Sequence, residues 1–212
     1  MSPPETLHQL FDAAVAAAQP HRRIPQFLPP CPPGKTVVVG AGKSAAAMAQ
    51  AIEQSWTGEL SGVVVTRYGH GAPTQLITVL EAAHPVPDAN GMTAADQILA
   101  TVASLGADDL VICLISGGGS ALLTLPPADV GLDMLVELNR KLLRSGADIG
   151  EMNAVRKSLS RSSGGRLAAA AYPARVVTLL ISDVPGDDLR AIASGPTVGD
   201  TVTAQEALNI LQ

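Results

Sequence analysis

The sequence predicts an α/β fold built from βαβ units around a mostly parallel sheet. Short runs of Val, Leu and Ile alternate with Ala-rich helical segments. Three of those apolar runs end in Gly-rich or Asp-rich loops, where α/β sheets bind their ligands. The core must also be aliphatic: hydrophobic residues make up 47% of the 212 residues, with one Trp, two Tyr and two Phe among them. Such a composition suits strands buried on both faces.

Leu7, Leu10, Phe11, Ala14, Val15 and Ala18 fall on one face of a helix. Ser2 and Glu5 stand at capping-box spacing, with Pro3 at the first helical position. Asp12 interrupts the apolar run, which argues against a signal peptide. Residues 1–30 are thus an amphipathic helix and a Pro-rich connector, extended over 20–34, and residues 31–212 form the main domain. There, strands are expected at Thr36–Val39, Gly62–Thr66, Leu76–Leu80, Leu110–Ile115 and Arg175–Ile181. Helices are expected from Ala45 to about Gln54, over Thr93–Leu105 after an Asn90-Gly91 turn, and over Asp129–Ser145 with Gly146 as the stop. Asp148 and Glu151 cap the next helix, Gly164-Gly165 opens another, and Thr203 and Glu206 cap the last. That last helix runs to Gln212 without a Gly, Pro or polar tail, which points to a chain cut before a further domain.

The formal net charge is −5 and no basic stripe is present, which disfavours nucleic acid or an anionic membrane as partner. No apolar run reaches the roughly 18 residues that a membrane span needs. Cys31 and Cys113 make no metal motif, and a reduced, cytoplasmic protein is the simplest expectation.

Three loops carry the candidate chemistry. Gly42-Lys43-Ser44 resembles the end of a Walker A loop, but position 37, where that motif needs Gly, is Val. Gly40-Ala-Gly42-Lys-Ser-Ala45 matches the dinucleotide fingerprint, yet the second strand ends at Thr66-Arg67 with no carboxylate for a ribose. Arg67 would suit a 2′-phosphate. What remains is an anion site at a helix start, with Lys43 adding positive charge, or else a tight strand-to-helix turn with a solvated lysine. Ser116-Gly117-Gly118-Gly119-Ser120 is a second candidate, because adjacent glycines let backbone approach a ligand or form an anion-binding nest. The third loop carries Asp183, Asp187 and Asp188, suited to Mg²⁺ or to an ordinary turn. His84 precedes Pro85 in a loop, and Arg156 and Lys157 read by default as a solvated helix face.

Six motifs occur in order: 37–44 (Val-Val-Val-Gly-Ala-Gly-Lys-Ser), 81–88 (Glu-Ala-Ala-His-Pro-Val-Pro-Asp) and 115–121 (Ile-Ser-Gly-Gly-Gly-Ser-Ala) come first. Asn-Ala-Val-Arg-Lys-Ser-Leu-Ser (153–160), Ile-Ser-Asp-Val-Pro-Gly-Asp-Asp (181–188) and Ser-Gly-Pro-Thr (194–197) complete the set. Together they resemble the N-terminal domain of the glycerate 2-kinase family, whose members often carry the label hydroxypyruvate reductase. The resemblance implies a Rossmann-like three-layer domain with helices on both faces, and a second, C-terminal domain missing from this chain. It implies phosphorylation of D-glycerate to 2-phosphoglycerate with ATP and Mg²⁺. Lys43 would then be the charge at the reacting phosphate, and Gly40, Gly42, Ser44 and the 116–120 loop would hold the nucleotide. Asp183 and Asp188 would hold Mg²⁺ or orient the hydroxyl, while Asn153, Arg156 and His84 would face the substrate. The family often has Lys before the Gly-Gly pair, where this chain has Ser163. Competing readings are an NADPH-dependent hydroxypyruvate reductase and a non-catalytic nucleotide-binding or dimerisation module, the latter allowing a homodimer through an exposed apolar cleft face.

Overall fold

The computed structural model describes residues 2–211. Five strands, β1 (Thr36–Ala41), β2 (Leu60–Arg67), β3 (Ile77–Ala82), β4 (Leu110–Ser116) and β5 (Arg175–Ile181), form a sheet in the order β3-β2-β1-β4-β5 with every pair parallel. The helices are α1 (Pro3–Ala18), α2 (Pro20–Arg23), α3 (Ala45–Ser55), α4 (Ala89–Ala103) and the single turn α5 (Gly119–Leu122). They continue with α6 (Leu132–Ser145), α7 (Ile149–Ser158), α8 (Arg166–Ala171) and α9 (Ala204–Ile210).

Strand alternation divides the core into two layers, as the period of two dictates. Val38, Val64, Ile112 and Leu114 meet Ala45, Met48 and Ile52 of α3 on one face. Val37, Val39, Val65, Cys113 and Ile115 meet α4 and α8 on the other. Val38, Ile112 and Leu114 are fully enclosed, each contributing roughly 1.5–3 kcal/mol by leaving water. Burial also pushes the Cys113 thiol up to about 12. Both cysteines are free. Among the described residues no helix is long and apolar enough to cross a membrane.

The structure corrects four expectations. Residues 20–34 are not extended throughout: α2 and a 3-10 turn at Ile24–Phe27 insert Ile24 into the core against α3. The Asn90-Gly91 pair is no turn, because Asp88 accepts the Gly91 N–H at 2.9 Å and starts α4 at Ala89. The helix expected from Asp129 begins at Leu132. Finally, Lys157 is not solvated but buried, its Nζ 3.2 Å from Asp200 Oδ2. The first helix forms as expected, with its capping box, but no residue of α1 is buried, and Leu7, Leu10, Phe11 and Val15 stay exposed. The capping boxes at Asp148 and Thr203 and the left-handed Gly146 stop are all present.

The Lys157–Asp200 pair joins α7 to the segment before α9. Burial raises the Asp200 pKa, but hydrogen bonds from the Val202 N–H and Lys157 outweigh it and leave the carboxyl below the usual range. Its contribution to stability is therefore full at neutral pH and is lost as pH falls through the folded-state pKa. Asp200→Asn is expected to cost about 3 kcal/mol or more in urea unfolding, because Lys157 is left buried without a counter-charge. The double change Lys157→Met, Asp200→Leu should recover most of that loss.

Candidate functional site

Chain direction across the sheet reverses between β1 and β4. From β1 the chain runs outward to β2 and β3, then returns through α4 to β4 on the opposite side. The carboxyl ends of β1 and β4 therefore open a crevice, the ligand position of an open parallel sheet.

Both candidate glycine loops meet there, and they meet closely. A side chain at Gly40 would collide with the Leu114 carbonyl, and one at Gly42 (φ 139°) with Ser116. The Ser44 N–H donates to Ser116 Oγ at 2.9 Å, and the Lys43 N–H to the Gly117 carbonyl at 2.9 Å. Gly42 and Ala45 N–H groups donate to the carbonyls of Val65 and Gly42. The N–H groups of residues 42–45, ahead of and at the start of α3, thus already have acceptors inside the protein. Gly40, Gly42 and Ser44 join two loops, and what this turn turns outward is the Lys43 side chain. Its Nζ lies 3.7 Å from Asp183 Oδ2, both side chains being substantially exposed.

The second loop differs. The N–H groups of Gly118, Gly119 and Ser120 find no acceptor among the described residues. A side chain at Gly117 would collide with the Asp183 carboxylate, and one at Gly118 would reach 2.8 Å from His84 Nε2. Gly119 would likewise meet Ala193 Cβ at 2.6 Å. Lys43, His84, Asp183 and the bare backbone of residues 117–120 therefore surround one position. Burial, then the charges of Lys43 and Arg67, hold the His84 pKa below its ordinary value, against the pull of Asp183. The ring is neutral at pH 7.

Asp188 stays with its own loop, accepting the Arg190 N–H at 2.9 Å, and Asp187 takes a left-handed turn at φ 52°. Among the described residues no group of three or more His, Cys, Asp or Glu is arranged to hold a metal ion. Arg156 is half-buried, its Nε donating to Asn139 Oδ1 at 2.7 Å and its Nη1 reaching Asn153 Oδ1 at 3.4 Å. It lines a cavity of about 530 Å³ bounded by Pro85–Pro87, Ser120, α6 and Ser194. Ser120 and Ser194 hydroxyls are 2.9 Å apart, which ties this cavity to the glycine loop.

Residues 6–212 match the family described as Domain of unknown function, DUF4147. The chain belongs to this family. The DUF4147 chain is 41% identical over 218 residues to D-glycerate 2-kinase of Thermotoga maritima, covering 100% of this chain and 52% of that protein. An Agrobacterium vitis protein carrying the name hydroxypyruvate reductase is 54% identical over 208 residues, 98% of this chain and 48% of its own length. A crystal structure of glycerate kinase from Thermotoga maritima superposes with a TM-score of 0.89 at 40% identity, covering 98% of this chain and 52% of the other. The DUF4147 chain spans about half the length of the curated relatives it matches.

Sequence reasoning missed two members of this constellation. Ser194 stood inside a quoted motif, and its role follows from the Gly164 N–H donating to its carbonyl at 3.0 Å. Asn139 lies on an amphipathic helix where nothing in the spacing marks it. The Ser163 hydroxyl accepts from Ser160 at 2.9 Å at the cavity edge. The His84 ring should titrate below 6.5 by NMR, and Lys43→Met should move its midpoint upward, because one of the cations that lower it is gone.

Proposed function

We propose that this chain supplies the phosphate-handling part of a D-glycerate 2-kinase, which transfers the γ-phosphoryl of ATP to the 2-hydroxyl of D-glycerate and yields 2-phosphoglycerate and ADP. The observation that carries the reading is Lys43 Nζ, held 3.7 Å from Asp183 beside the unpaired N–H groups of residues 118–120. Phosphoryl transfer asks little covalent chemistry of a protein and much positioning and charge stabilisation. A mobile cation and several fixed backbone donors around one position meet that demand.

In this reading the N–H groups of Gly118, Gly119 and Ser120 receive phosphate oxygens, and Lys43 offsets the charge that builds as the phosphoryl group moves. Gly40, Gly42, Ser44, Ser116 and Gly117 keep that geometry by joining the β1 and β4 loops. The residues fit Mg²⁺ arriving with the nucleotide, since this ion needs only one or two carboxylates beside phosphates and water. Asp183 is exposed and adjoins the phosphate position, and Asp188 is one loop turn away. Bound Mg²⁺ would neutralise phosphate charge. Neutral His84 accepts a hydrogen bond from the acceptor hydroxyl or donates one to a phosphate oxygen, and Asn153 and Arg156 face the acceptor.

A nicotinamide-dependent reduction of hydroxypyruvate is the weaker reading. Two of the backbone donors that would take a pyrophosphate at α3, the Lys43 and Ser44 N–H groups, are engaged with Gly117 and Ser116. Calorimetry is expected to detect MgATP binding to this chain, weakened tenfold or more by Lys43→Ala, with no comparable binding of NADPH. ATP-dependent phosphorylation of D-glycerate, assayed alongside, should be abolished by the same substitution. Unchanged MgATP affinity in Lys43→Ala sinks the proposal.

A further inference from the structure

Residues 83–87 carry His84 over the glycine loop, yet their backbone has almost nothing to hold it there. Pro85 and Pro87 have no N–H to donate. No backbone group of residues 83–87 bonds to another backbone group among the described residues. The ring is nevertheless closely placed, since a side chain at Gly118 would reach 2.8 Å from its Nε2. A side chain must therefore fix this loop.

One carboxylate supplies what the loop lacks. Asp88 Oδ1 accepts the Gly91 N–H at 2.9 Å, and its Oδ2 accepts the Tyr68 hydroxyl at 2.7 Å. Ala83, just ahead of His84, turns its N–H toward the same group. Tyr68 is anchored to the sheet in turn, its N–H donating to the Ala82 carbonyl at 3.2 Å. The Asn90 amide donates to the Tyr68 oxygen at 2.8 Å, which leaves the phenolic proton for Asp88. Burial raises the Asp88 pKa, but the bonds from Tyr68 and from the Gly91 and Ala83 N–H groups outweigh it. They hold the carboxyl below its usual range. The bond to Asp88 also holds the Tyr68 hydroxyl above its ordinary pKa, so the phenol stays a donor at neutral pH. Capping α4 needs only the Gly91 bond. The other two span the loop and tie its far end to the ends of β2 and β3.

We propose that Asp88, locked by Tyr68, is a positioning residue that keeps the His84 ring against the glycine loop. This role rests on the kinase reading, in which His84 meets the acceptor hydroxyl or a phosphate oxygen, and deepens it. Place and protonation are one property here. Burial, then the charges of Lys43 and Arg67, lower the His84 pKa, while Asp183 pulls the other way. A ring released into water loses the largest of these and titrates nearer 6.5, with about a quarter of it protonated at pH 7. A protonated ring cannot accept a hydrogen bond from a hydroxyl. The Tyr68–Asp88 clasp thus preserves a neutral ring as well as its position.

The test is the His84 titration followed by NMR, its signal assigned by absence from His84→Gln. Tyr68→Phe removes one oxygen from a half-exposed side chain and leaves the cap of α4 untouched. Asp88→Ser keeps an acceptor for the Gly91 N–H but is too short to bridge to Tyr68 as well. Both variants should move the His84 midpoint upward, toward 6.5. In the parent chain MgATP should shift the His84 resonances, and in both variants that shift should fall by half or more. A midpoint that stays at the parent value in both variants overturns the positioning role, whatever happens to thermal stability, because Asp88 then only starts α4. If Asp88→Ser does not fold, Tyr68→Phe decides alone. Midpoints that rise in both variants, with parent resonances indifferent to MgATP, would keep the positioning of His84 and sink the kinase reading instead.

Discussion

The site depends on two hydrogen bonds between loops far apart in sequence: Ser44 N–H to Ser116 Oγ and Lys43 N–H to the Gly117 carbonyl. They close the gap between β1 and β4 where the winding of the sheet reverses. Without them the Lys43 and Ser44 N–H groups would be bare, and the glycine loop would have no fixed floor. With them, the roles of the two loops separate. One becomes a rigid mount for a single lysine, and the other keeps its donors open.

Close approach of backbone is what demands glycine here. Gly40 faces the Leu114 carbonyl and Gly42 the Ser116 backbone, so a side chain at either would push strands or loops apart, while one at Gly117 would displace the Asp183 carboxylate. The same compression places Lys43, Asp183 and His84 around a small volume. Their mutual electrostatics follow from that crowding, as the lowered His84 pKa records. Farther out, α7 is held by the buried Lys157–Asp200 pair while its next residue, Arg156, faces the cavity. One helix therefore carries one cation paired within the fold and an adjacent one facing the cavity.

Much of the fold was legible because strand and helix periods differ and caps have fixed spacings. The β5 limits, the Asp148 and Thr203 capping boxes and the Gly146 stop followed from local chemistry alone. Asn90-Gly91 misled because a turn-forming pair also fits the first turn of a helix when Asp88 caps it. Site residues were legible as types but not as partners. Lys43 and the Gly117–Gly119 run announce anion chemistry, whereas the occupation of the α3 donors depends on a loop about 70 residues away. Lys157 looked like a solvated face because its partner, Asp200, lies in a different segment well beyond the helix. Asn139 left no trace at all, since an amide on a helix is ordinary until an arginine is found against it.

The uncovered first helix has a consequence for how this molecule opens. The apolar face of α1 touches no core, so little beyond its capping box and its short contact with α2 holds it in place. A helix of 16 residues with so little tertiary support lies near the limit of stability in water. Its amides would exchange with solvent through fluctuations that leave the parallel sheet intact, as a separate cooperative unit of low free energy. The melting of α1 and the collapse of the sheet are then distinct events, and an unfolding midpoint read from the core describes only the second.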